Sequence, residues 1–397
     1  MSYYLFITGC YQNYYDAKHI AHLLEKMGYV LDNEKNANVI VAIACSVRQK
    51  PIDRIFGKIK VWNKLPQKPK VIITGCILEK DKPKFSSKKQ NALIIDINDI
   101  DKKLPLLLKG KVNIKLKPQT ECIPLDINKD AAFIPIMFGC DNFCSYCAVP
   151  YTRGREWSKK ENEILDEIKK QIKNNKKHIM LLGQNVNSYG LDKNNKNKFL
   201  ITNISHSEFS SKSQKSKKIS NYLSQLVSQS KARVRDENLI LPFAKLLEEI
   251  DKIPGNFTFN FTSSNPHDFH KSLVDTLPKL KKWEKKLHLP IQSGDDEILK
   301  KMNRKYSTQD YLSLIKDLKI KIKDLKISTD VIVGFPGETK KQFQNTVEIC
   351  KKVGFYKVFA AQYSPRPGTL AEKKYKDNIA REEKKHRWDI INNLINK

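Results

Sequence analysis

Three cysteines lie within eight positions of the segment FGCDNFCSYCAVPYTRGRE, residues 138–156. They are Cys140, Cys144 and Cys147, and basic residues follow them closely. An odd number of neighbouring thiols argues against a disulfide. A structural zinc site needs four ligands, and only the distant Cys122 could supply a fourth thiolate. A four-iron cluster held by three thiolates, with its fourth iron open to a small ligand, explains the spacing better.

A second set of three cysteines is spread over the first 80 residues, and each member follows an apolar segment. Cys10 follows LFITG, Cys45 follows VIVAIA and Cys76 follows VIITG. The carboxyl ends of parallel strands lie along one edge of a sheet. One buried cysteine at a strand end is ordinarily a small core residue. Three at the same place in successive βα units are instead expected to converge into a second three-thiolate site.

Two alternating patterns of strands and helices must position these cysteines. Residues 1–118 predict βαβ units around a mostly parallel sheet. Residues 131–365 contain six apolar strands separated by amphipathic helices, which favours a partial (β/α)6 TIM-type barrel. A stretch rich in Ser, Lys and Asn at 191–238 is expected to be a low-complexity surface insertion. We therefore predict an α/β fold with two domains, a linker at 119–130 and a C-terminal helical extension at 366–397.

Composition limits the class of protein and suggests a partner. The 397 residues include 73 Lys and Arg against 43 Asp and Glu, a formal net charge of +30. Such an excess favours a polyanionic partner, most simply nucleic acid, although a general bias towards lysine is the alternative. No apolar run approaches a membrane span, and the N-terminus lacks the features of a signal peptide. We expect a cytoplasmic monomer without membrane association, in which eight cysteines serve metal binding or catalysis.

The pattern Cys140-x3-Cys144-x-Tyr146-Cys147 resembles the radical S-adenosylmethionine (SAM) signature. Together with the second trio, it makes the chain similar to the methylthiotransferases, radical SAM enzymes that insert sulfur into a C–H bond and methylate it. The resemblance covers most of the chain outside the insertion. The segments that carry it, besides the cysteine loop, are GCYQNYYD, ACSVRQKPIDRIFG, ITGCILEK, LLGQNVNSYG, HLPIQSGDDEILKKMNR, STDVIVGFPGET and YSPRPGT.

The resemblance implies two 4Fe–4S clusters with different tasks. The first, on Cys140, Cys144 and Cys147, would coordinate SAM and cleave it to a 5′-deoxyadenosyl radical. The second, auxiliary cluster, held by the three strand-end cysteines, would carry the sulfur that a further SAM methylates. Cofactor chemistry supplies the reactivity, so no side chain is expected to act as an acid or base.

Within the family, GQNVNSYG and YSPRPGT resemble the tRNA branch, the MiaB type. This implies 2-methylthiolation of isopentenyl-adenosine next to the anticodon of tRNA, with an external electron donor and a sulfur source. Threonylcarbamoyl-adenosine in tRNA or an aspartate of a ribosomal protein is the alternative substrate. A zinc- or cluster-bearing RNA-binding module is the alternative of another class. The family commonly carries a C-terminal RNA-binding TRAM domain, which is apparently lacking after Lys397; either the protein is naturally short or the sequence is truncated.

Further site residues are carried over from the family, or follow the cluster loop. Tyr146 is expected near the adenine of SAM, and Gln184 and Asn185 near its amino end. Arg153 and Arg155 are expected to contact RNA phosphates, since guanidinium groups suit them, although a SAM carboxylate or a salt bridge with an acid such as Glu156 is the alternative. The remaining expected SAM contacts lie at the ends of later strands: Ser263, Gln292, Ser293, Gly334 and Gly337. Gln184 could instead be a turn residue, and Gly–Phe–Pro–Gly an ordinary turn.

Overall fold

The structure of the chain is a computed structural model. It describes residues 1–86, 92–108, 130–192 and 240–395. Cys122 lies outside the described residues, as do nearly all of the predicted linker and of the predicted insertion.

The strands of the described part are, in chain order, β1 (Ser2–Ile7), β2 (Val30–Leu31), β3 (Val39–Ala44), β4 (Lys70–Gly75), β5 (Ala92–Ile94), β6 (Ala131–Pro135), β7 (Met137–Phe138), β8 (Trp157–Ser158), β9 (His178–Leu182), β10 (Thr258–Phe261), β11 (Lys286–His288), β12 (Lys326–Val333) and β13 (Lys357–Gln362). Its α-helices are α1 (Tyr11–Lys26), α2 (Gln49–Trp62), α3 (Lys82–Phe85), α4 (Ile100–Leu107), α5 (Val149–Thr152), α6 (Glu161–Lys173), α7 (Pro242–Lys252), α8 (Lys271–Thr276), α9 (Asp296–Lys301), α10 (Thr308–Lys321), α11 (Lys340–Val353), α12 (Leu370–Lys374) and α13 (Arg381–Ile395).

The N-terminal strands form one parallel sheet in the order β2-β1-β3-β4-β5. Strand β3 is buried along its whole length, as expected for a central strand with helices on both faces. Apolar clusters lie on the two sides of the sheet, one against α1 and α4 and the other against α2. The neighbours β1, β3 and β4 therefore end side by side, at the edge where the predicted cysteines follow them.

Six parallel strands follow in the second half, as predicted. They form two three-stranded sheets, β10-β9-β6 and β11-β12-β13. A parallel bridge between Phe259 and Trp283 joins the two sheets, so the six strands follow one another in chain order. The core between them and their helices is the largest apolar cluster of the described residues. The arrangement is that of an open, partial TIM-type barrel.

Local signals in the sequence explain where the barrel helices begin and end. Ser307 and Thr339 each form a capping box at the start of α10 and α11. Gly354 ends α11 in a left-handed conformation, with φ of +63°. The predicted C-terminal extension forms α12 and α13, and the Trp388 indole donates a 2.9 Å hydrogen bond to the carbonyl of Ala360 in β13.

Sequence analysis missed β2 and the short antiparallel pair β7–β8, each strand of which has two residues. Such short segments carry no periodicity that could reveal them. No helix among the described residues is long and apolar enough to cross a membrane.

Candidate functional site: two facing cysteine trios

The strand-end cysteines meet at the carboxyl edge of the N-terminal sheet. Cys45 and Cys76 directly follow β3 and β4, and Cys10 is the N-cap residue of α1 after β1. Cys45 and Cys76 are buried, Cys10 is exposed, and all three are free thiols. Gly9 lies so close to Cys45 that a Cβ atom on it would come within 2.7 Å of the Cys45 Sγ. We call these three cysteines the sheet-edge trio.

Asn13 holds the loops of the sheet-edge trio together. Its Nδ2 donates to the carbonyl of Thr8 at 2.6 Å and to that of Ala44 at 2.8 Å. The first carbonyl lies two residues before Cys10 and the second directly before Cys45. The backbone N–H of Cys76 donates to the same Ala44 carbonyl at 3.0 Å. The ends of three strands are thus fixed to one another through their backbones.

The other three cysteines lie on one loop between β7 and α5, which we call the loop trio. Cys140 is buried, whereas Cys144 and Cys147 are partly exposed, and all three are free thiols. Ser145 anchors the loop, since its N–H donates to the carbonyl of Met302 at 2.9 Å and its hydroxyl to that of Lys301 at 2.8 Å. Phe143 in this loop has φ of +46°, a conformation that bulky residues rarely adopt.

N–H groups point at the sulfur atoms of both trios. In the loop trio, the Val149 N–H donates to the Cys147 Sγ at 3.4 Å, and the Arg304 Nη1 donates to the Cys144 Sγ at 3.3 Å. In the sheet-edge trio, the Arg153 Nε donates to the Cys76 Sγ at 3.0 Å. Such donors stabilise thiolates and tune the potential of a bound cluster.

Burial raises the pKa of several of these thiols. It raises the pKa of Cys45 to about 12, and the charge of Cys76 adds to the effect. It also raises the pKa of Cys147 to about 12, with contributions from Cys144 and from Cys76. The two trios face each other, since Arg153, six residues after Cys147, donates to the Cys76 Sγ at 3.0 Å. A metal ion that displaces the thiol protons removes the cost of burying thiolates without a partner.

Arg153 lies between the two trios, and this corrects the expectation that it contacts RNA. It is 6% exposed, and its Nη2 donates to the Asn13 Oδ1 at 2.9 Å and to the Asp16 Oδ2 at 2.5 Å. With its Nε on Cys76, the guanidinium is engaged inside the protein and cannot meet a surface phosphate. Arg155 does remain exposed at the surface, where its Nε lies 3.1 Å from the Asp141 Oδ1.

Polar residues surround the loop trio at the ends of β9 and β10. The Asp268 Oδ2 accepts hydrogen bonds from the Nδ2 atoms of Asn142 at 3.1 Å, Asn185 at 2.8 Å and Asn265 at 3.1 Å. Burial raises the pKa of the nearby Glu156 to about 7, and the charges of Asp141 and Asp268 add to this effect. Three carboxyl groups therefore lie together here, in a chain whose net charge is strongly positive.

Buried side-chain atoms without a hydrogen-bond partner cluster in the same place. They are the Oε1 of Gln184, the Oδ1 of Asn185, the Nδ2 of Asn187 and the Oγ of Ser264. Burying a polar atom without a partner is costly, so these atoms are suited to a ligand that completes their hydrogen bonds. They include atoms of Gln184 and Asn185, which the sequence predicts to lie near the amino end of SAM.

Family comparisons agree with this geometry. Residues 134–350 match the model of the Radical SAM superfamily, and residues 2–96 match that of the Uncharacterized protein family UPF0004. The chain is similar to the tRNA-2-methylthio-N(6)-dimethylallyladenosine synthase of Thermotoga petrophila, with 33% identity over 99% of this chain and 81% of that protein. The synthase of the same name from Clostridium botulinum strain Okra is 34% identical over 98% of this chain and 80% of that protein.

The chain belongs to the radical SAM methylthiotransferase family. This membership implies SAM and 4Fe–4S clusters as cofactors. The synthase of the same name from Carboxydothermus hydrogenoformans is 33% identical over the whole of this chain and 83% of that protein.

Solved structures share the fold at low sequence identity. The radical SAM methyltransferase TsrM from Kitasatospora setae, with tryptophan and a SAM analogue bound, has a TM-score of 0.59 at 11% identity, over 94% of this chain and 75% of that chain. The cobalamin-dependent radical SAM enzyme OxsB, with aqua-cobalamin and SAM bound, has a TM-score of 0.52 at 11% identity, over 99% of this chain and 56% of that chain. These likenesses extend across both halves of the methylthiotransferase fold.

Each trio supplies the three thiols that a four-iron cluster with one open iron requires. The thiolates of such a cluster bind different irons. Two sets of three free thiols, with N–H donors on their sulfurs, therefore fit the two clusters of a methylthiotransferase.

The remaining residues that the sequence assigned to SAM lie around the barrel mouth. Ser263 and Gln292 both have positive φ, at +65° and +69°, which marks strained backbone after strands of the barrel. Ser293 is fully buried, and its Oγ accepts from the N–H of Asp295 at 3.3 Å. Tyr146 packs against the small apolar cluster around Phe335.

Gly334 and Gly337 have a packing role that the sequence did not suggest. Both have positive φ, at +70° and +76°. A Cβ atom on Gly334 would clash with the side chain of Lys384 in α13, and the N–H of Gly337 donates to the Asn378 Oδ1 at 2.8 Å. This turn therefore faces the C-terminal extension. Its expected approach to the adenine stays a prediction.

Sequence reasoning missed two residues of the site. Arg304 donates to Cys144, to the carbonyl of Pro290 at 3.2 Å and to the Tyr306 hydroxyl at 3.0 Å. Asp268 collects the three asparagine amides. Arg304 is the last residue of the segment HLPIQSGDDEILKKMNR, whereas Asp268 lies outside the segments that carry the family resemblance. Only the fold brings the two residues within reach of the loop trio.

Proposed function

We propose that this chain is a tRNA methylthiotransferase that inserts sulfur and transfers a methyl group to C2 of isopentenyl-adenosine next to the anticodon. The observation that carries the proposal is the pair of facing cysteine trios, one on a radical SAM loop and one at a sheet edge. The names of the relatives supply the substrate. The proposed division is a domain at 1–118, a linker at 119–130, a core at 131–365 with its insertion at 191–238, and an extension at 366–397.

In this proposal the loop trio holds the SAM-binding cluster and the sheet-edge trio holds the auxiliary cluster. Bound there, the clusters and SAM supply radical cleavage of a C–H bond and the transferred sulfur and methyl groups. The protein binds and orients the reactants. SAM carries an ammonium and a sulfonium besides its carboxylate, and the carboxyl groups of Asp141, Glu156 and Asp268 would favour the two cationic groups. The unpartnered oxygens of Gln184 and Asn185 would accept hydrogen bonds from the ammonium.

Exposed residues beside the loop trio suit an RNA substrate. Tyr151 and Trp157 are 38% and 45% exposed, and the Arg155 guanidinium lies 5.4 Å from the ring centre of Phe143. Unstacked RNA bases stack on aromatic and guanidinium planes. On the other side, a cavity of about 280 Å³ next to the sheet-edge trio is lined by Gly9, Lys50 and Arg54 among others. We assign the exposed residues beside the loop trio and this cavity to tRNA binding, with the Arg155 guanidinium contacting a phosphate.

The same proposal places the enzyme in the cytoplasm as a monomer. It requires an external electron donor, because reductive cleavage of SAM begins with one electron delivered to the cluster, and a sulfur source, because SAM supplies the methyl group but not the inserted sulfur atom.

Expression in cells that lack their own enzyme tests the substrate. Mass spectrometry of their tRNA nucleosides is expected to show methylthio-isopentenyl-adenosine with the parent chain and none with Cys144→Ala. If the chain is well expressed and loaded with iron but this nucleoside does not form, the proposal is wrong. Methylthiolated threonylcarbamoyl-adenosine or ribosomal protein would identify the alternative substrate.

Anaerobic reconstitution with iron and sulfide tests the class of protein. Two clusters require about eight iron atoms per chain. Stoichiometric zinc without iron uptake would instead support an RNA-binding module.

A further inference from the structure

We propose that Arg153 is a positioning residue that ties the sheet-edge trio to the loop trio and holds the auxiliary cluster in its working place. This inference rests on the proposed function as far as the cluster is concerned. Its structural part rests on the contacts of Arg153 alone.

The position of Arg153 in the chain links it to the loop trio. It lies six residues after Cys147 and directly after the short helix α5. The helix is firmly attached to the loop, since the hydroxyl of Thr152 donates to the carbonyl of Ala148 at 3.1 Å and the N–H of Arg153 to that of Val149 at 2.9 Å. Any movement of the loop trio therefore moves the base of the Arg153 side chain.

The other end of Arg153 reaches every loop of the sheet-edge trio. It contacts the Cys76 sulfur directly at 3.0 Å. Through the Asn13 side chain it is connected to the carbonyls of Thr8 and Ala44, next to Cys10 and Cys45. A planar guanidinium with several fixed donors can serve these partners at once, whereas a lysine ammonium cannot match that geometry.

Charge explains why an arginine is stable at this place. Asp16 is buried, and its carboxylate lies 2.5 Å from the Arg153 Nη2. A buried charge is tolerated only with a partner, so each member of this pair depends on the other. The guanidinium also gives the auxiliary cluster a nearby positive charge and an N–H···S bond, both of which favour its reduced, more negative state.

A second buried ion pair joins the same two halves without touching a sulfur atom. Arg366, on the loop after β13, lies 3.2 Å from the Asp81 Oδ2 and also donates to the Gln49 Oε1. A third, between Arg387 and Glu338 at 2.7 Å, lies within the second half alone. These two pairs provide matched controls, one for contact between the halves and one for the loss of a buried arginine.

The test uses a chain in which only the auxiliary cluster can form, because Cys140, Cys144 and Cys147 are all replaced by Ala. After anaerobic reconstitution this chain is expected to hold about four irons. Adding Arg153→Met is expected to remove at least half of that iron and to shift the reduction potential of the remainder to more negative values. Arg153→Lys is expected to be intermediate. Arg387→Met is expected to leave iron content and potential unchanged, and Arg366→Met to affect them less than Arg153→Met.

A second measurement does not depend on iron. Thermal unfolding of the metal-free, reduced parent, Arg153→Met, Asp16→Asn and the double variant forms a double-mutant cycle. We expect the double variant to lose less stability than the sum of the two single losses, since either change alone leaves a buried charge unpaired.

The iron measurement and the double-mutant cycle test two separate parts of the proposal. Parental iron content and potential in Arg153→Met would overturn the role in holding the cluster, and additive effects in the cycle would overturn the link between the halves. If the three-alanine chain takes up no iron, the proposed function fails instead, and the cycle still decides whether Arg153 joins the two trios.

Discussion

The two cysteine trios have the same three ligands but are built in opposite ways. The loop trio spans eight consecutive positions, and most of what shapes it is local. The sheet-edge trio joins residues that are 66 positions apart, and parallel strands bring them together. A local loop can be recognised from its spacing alone, whereas a trio at a sheet edge exists only if strand order and register are correct.

The trios also differ in their supporting contacts. In the loop trio, Cys147 receives an N–H donor from Val149, two residues further along the chain, and Cys144 receives one from Arg304 of the barrel. Cys76 in the sheet-edge trio depends on Arg153, which comes from the other half of the chain. The sheet-edge trio is therefore the more dependent of the two on the packing of the whole molecule.

Removing the ligands is expected to have the largest effect and to separate the two trios. Cys144→Ala should abolish both SAM cleavage and methylthiolation, because the proposed radical source is lost. Cys76→Ala should abolish methylthiolation while SAM cleavage to 5′-deoxyadenosine continues. Chromatography of both products with reconstituted enzyme and substrate tRNA measures this, with Cys350→Ala as the control. Loss of SAM cleavage in Cys76→Ala would contradict the division of tasks.

Two glycines allow each trio to be distorted separately. In Gly9→Ala, the added Cβ atom would press on Cys45. In Gly139→Ala, it would press on the backbone of Arg155 and on the carbonyl oxygen of Gly154, 2.7 Å away. We expect each variant to lose about half of the reconstituted iron, from a different cluster. Iron analysis together with electron paramagnetic resonance distinguishes the two losses.

The matched controls are Gly28→Ala and Gly154→Ala. These glycines have φ of +81° and +75°, and a Cβ atom on either would have no neighbour within 4 Å. Both controls carry the backbone strain of about 1–2 kcal/mol without the clash. Equal iron loss in a glycine variant and its control would show that strain, not contact with the trio, is responsible.

Arg304→Met is expected to weaken only the loop trio. Loss of the N–H donor to Cys144 should lower SAM cleavage by about 10- to 100-fold, as is usual for residues that support metal ligands. Kinetics of 5′-deoxyadenosine release measure the effect, and Arg387→Met is the control for a lost buried arginine. If the iron of the sheet-edge trio fell as well, the two supports would not be independent.

Glu156→Gln is expected to have the smallest effect, a change in how stability depends on pH. The pKa of Glu156 is about 7 in the folded chain against an ordinary 4.5, so the folded state binds this proton more tightly. Its stabilising contribution is complete below about pH 4.5 and is lost as pH rises through 7. Glutamine stays neutral, so the variant should gain stability relative to the parent as the pH rises from 5 to 8.

Denaturant unfolding of the metal-free chain at several pH values measures this difference. Glu297→Gln, at an exposed position on α9, is the control and should show no such trend. A constant difference between Glu156→Gln and parent over the whole pH range would contradict the burial of this carboxyl group.

Much of the fold could be predicted from the sequence because its patterns are long. Strands such as β3 and β12 are strongly apolar or alternating, and helices such as α10 and α11 carry their own caps. The order β2-β1-β3-β4-β5 has no such signal, since it depends on which side of the sheet each connection takes.

The residues of the site also fall into two groups, those that the sequence indicates and those that only the fold places there. Residue type and spacing pointed to the six cysteines as candidate ligands and predicted the parallel strands of both halves, because clusters require thiolates and strands require apolar runs. Only the tertiary structure decided that Arg153 is buried between the trios, that Arg304 and Asp268 join the site, and that Gly334 faces α13. The physical reason is that a side chain's type is written in the sequence, whereas its burial and partners depend on segments far away along the chain.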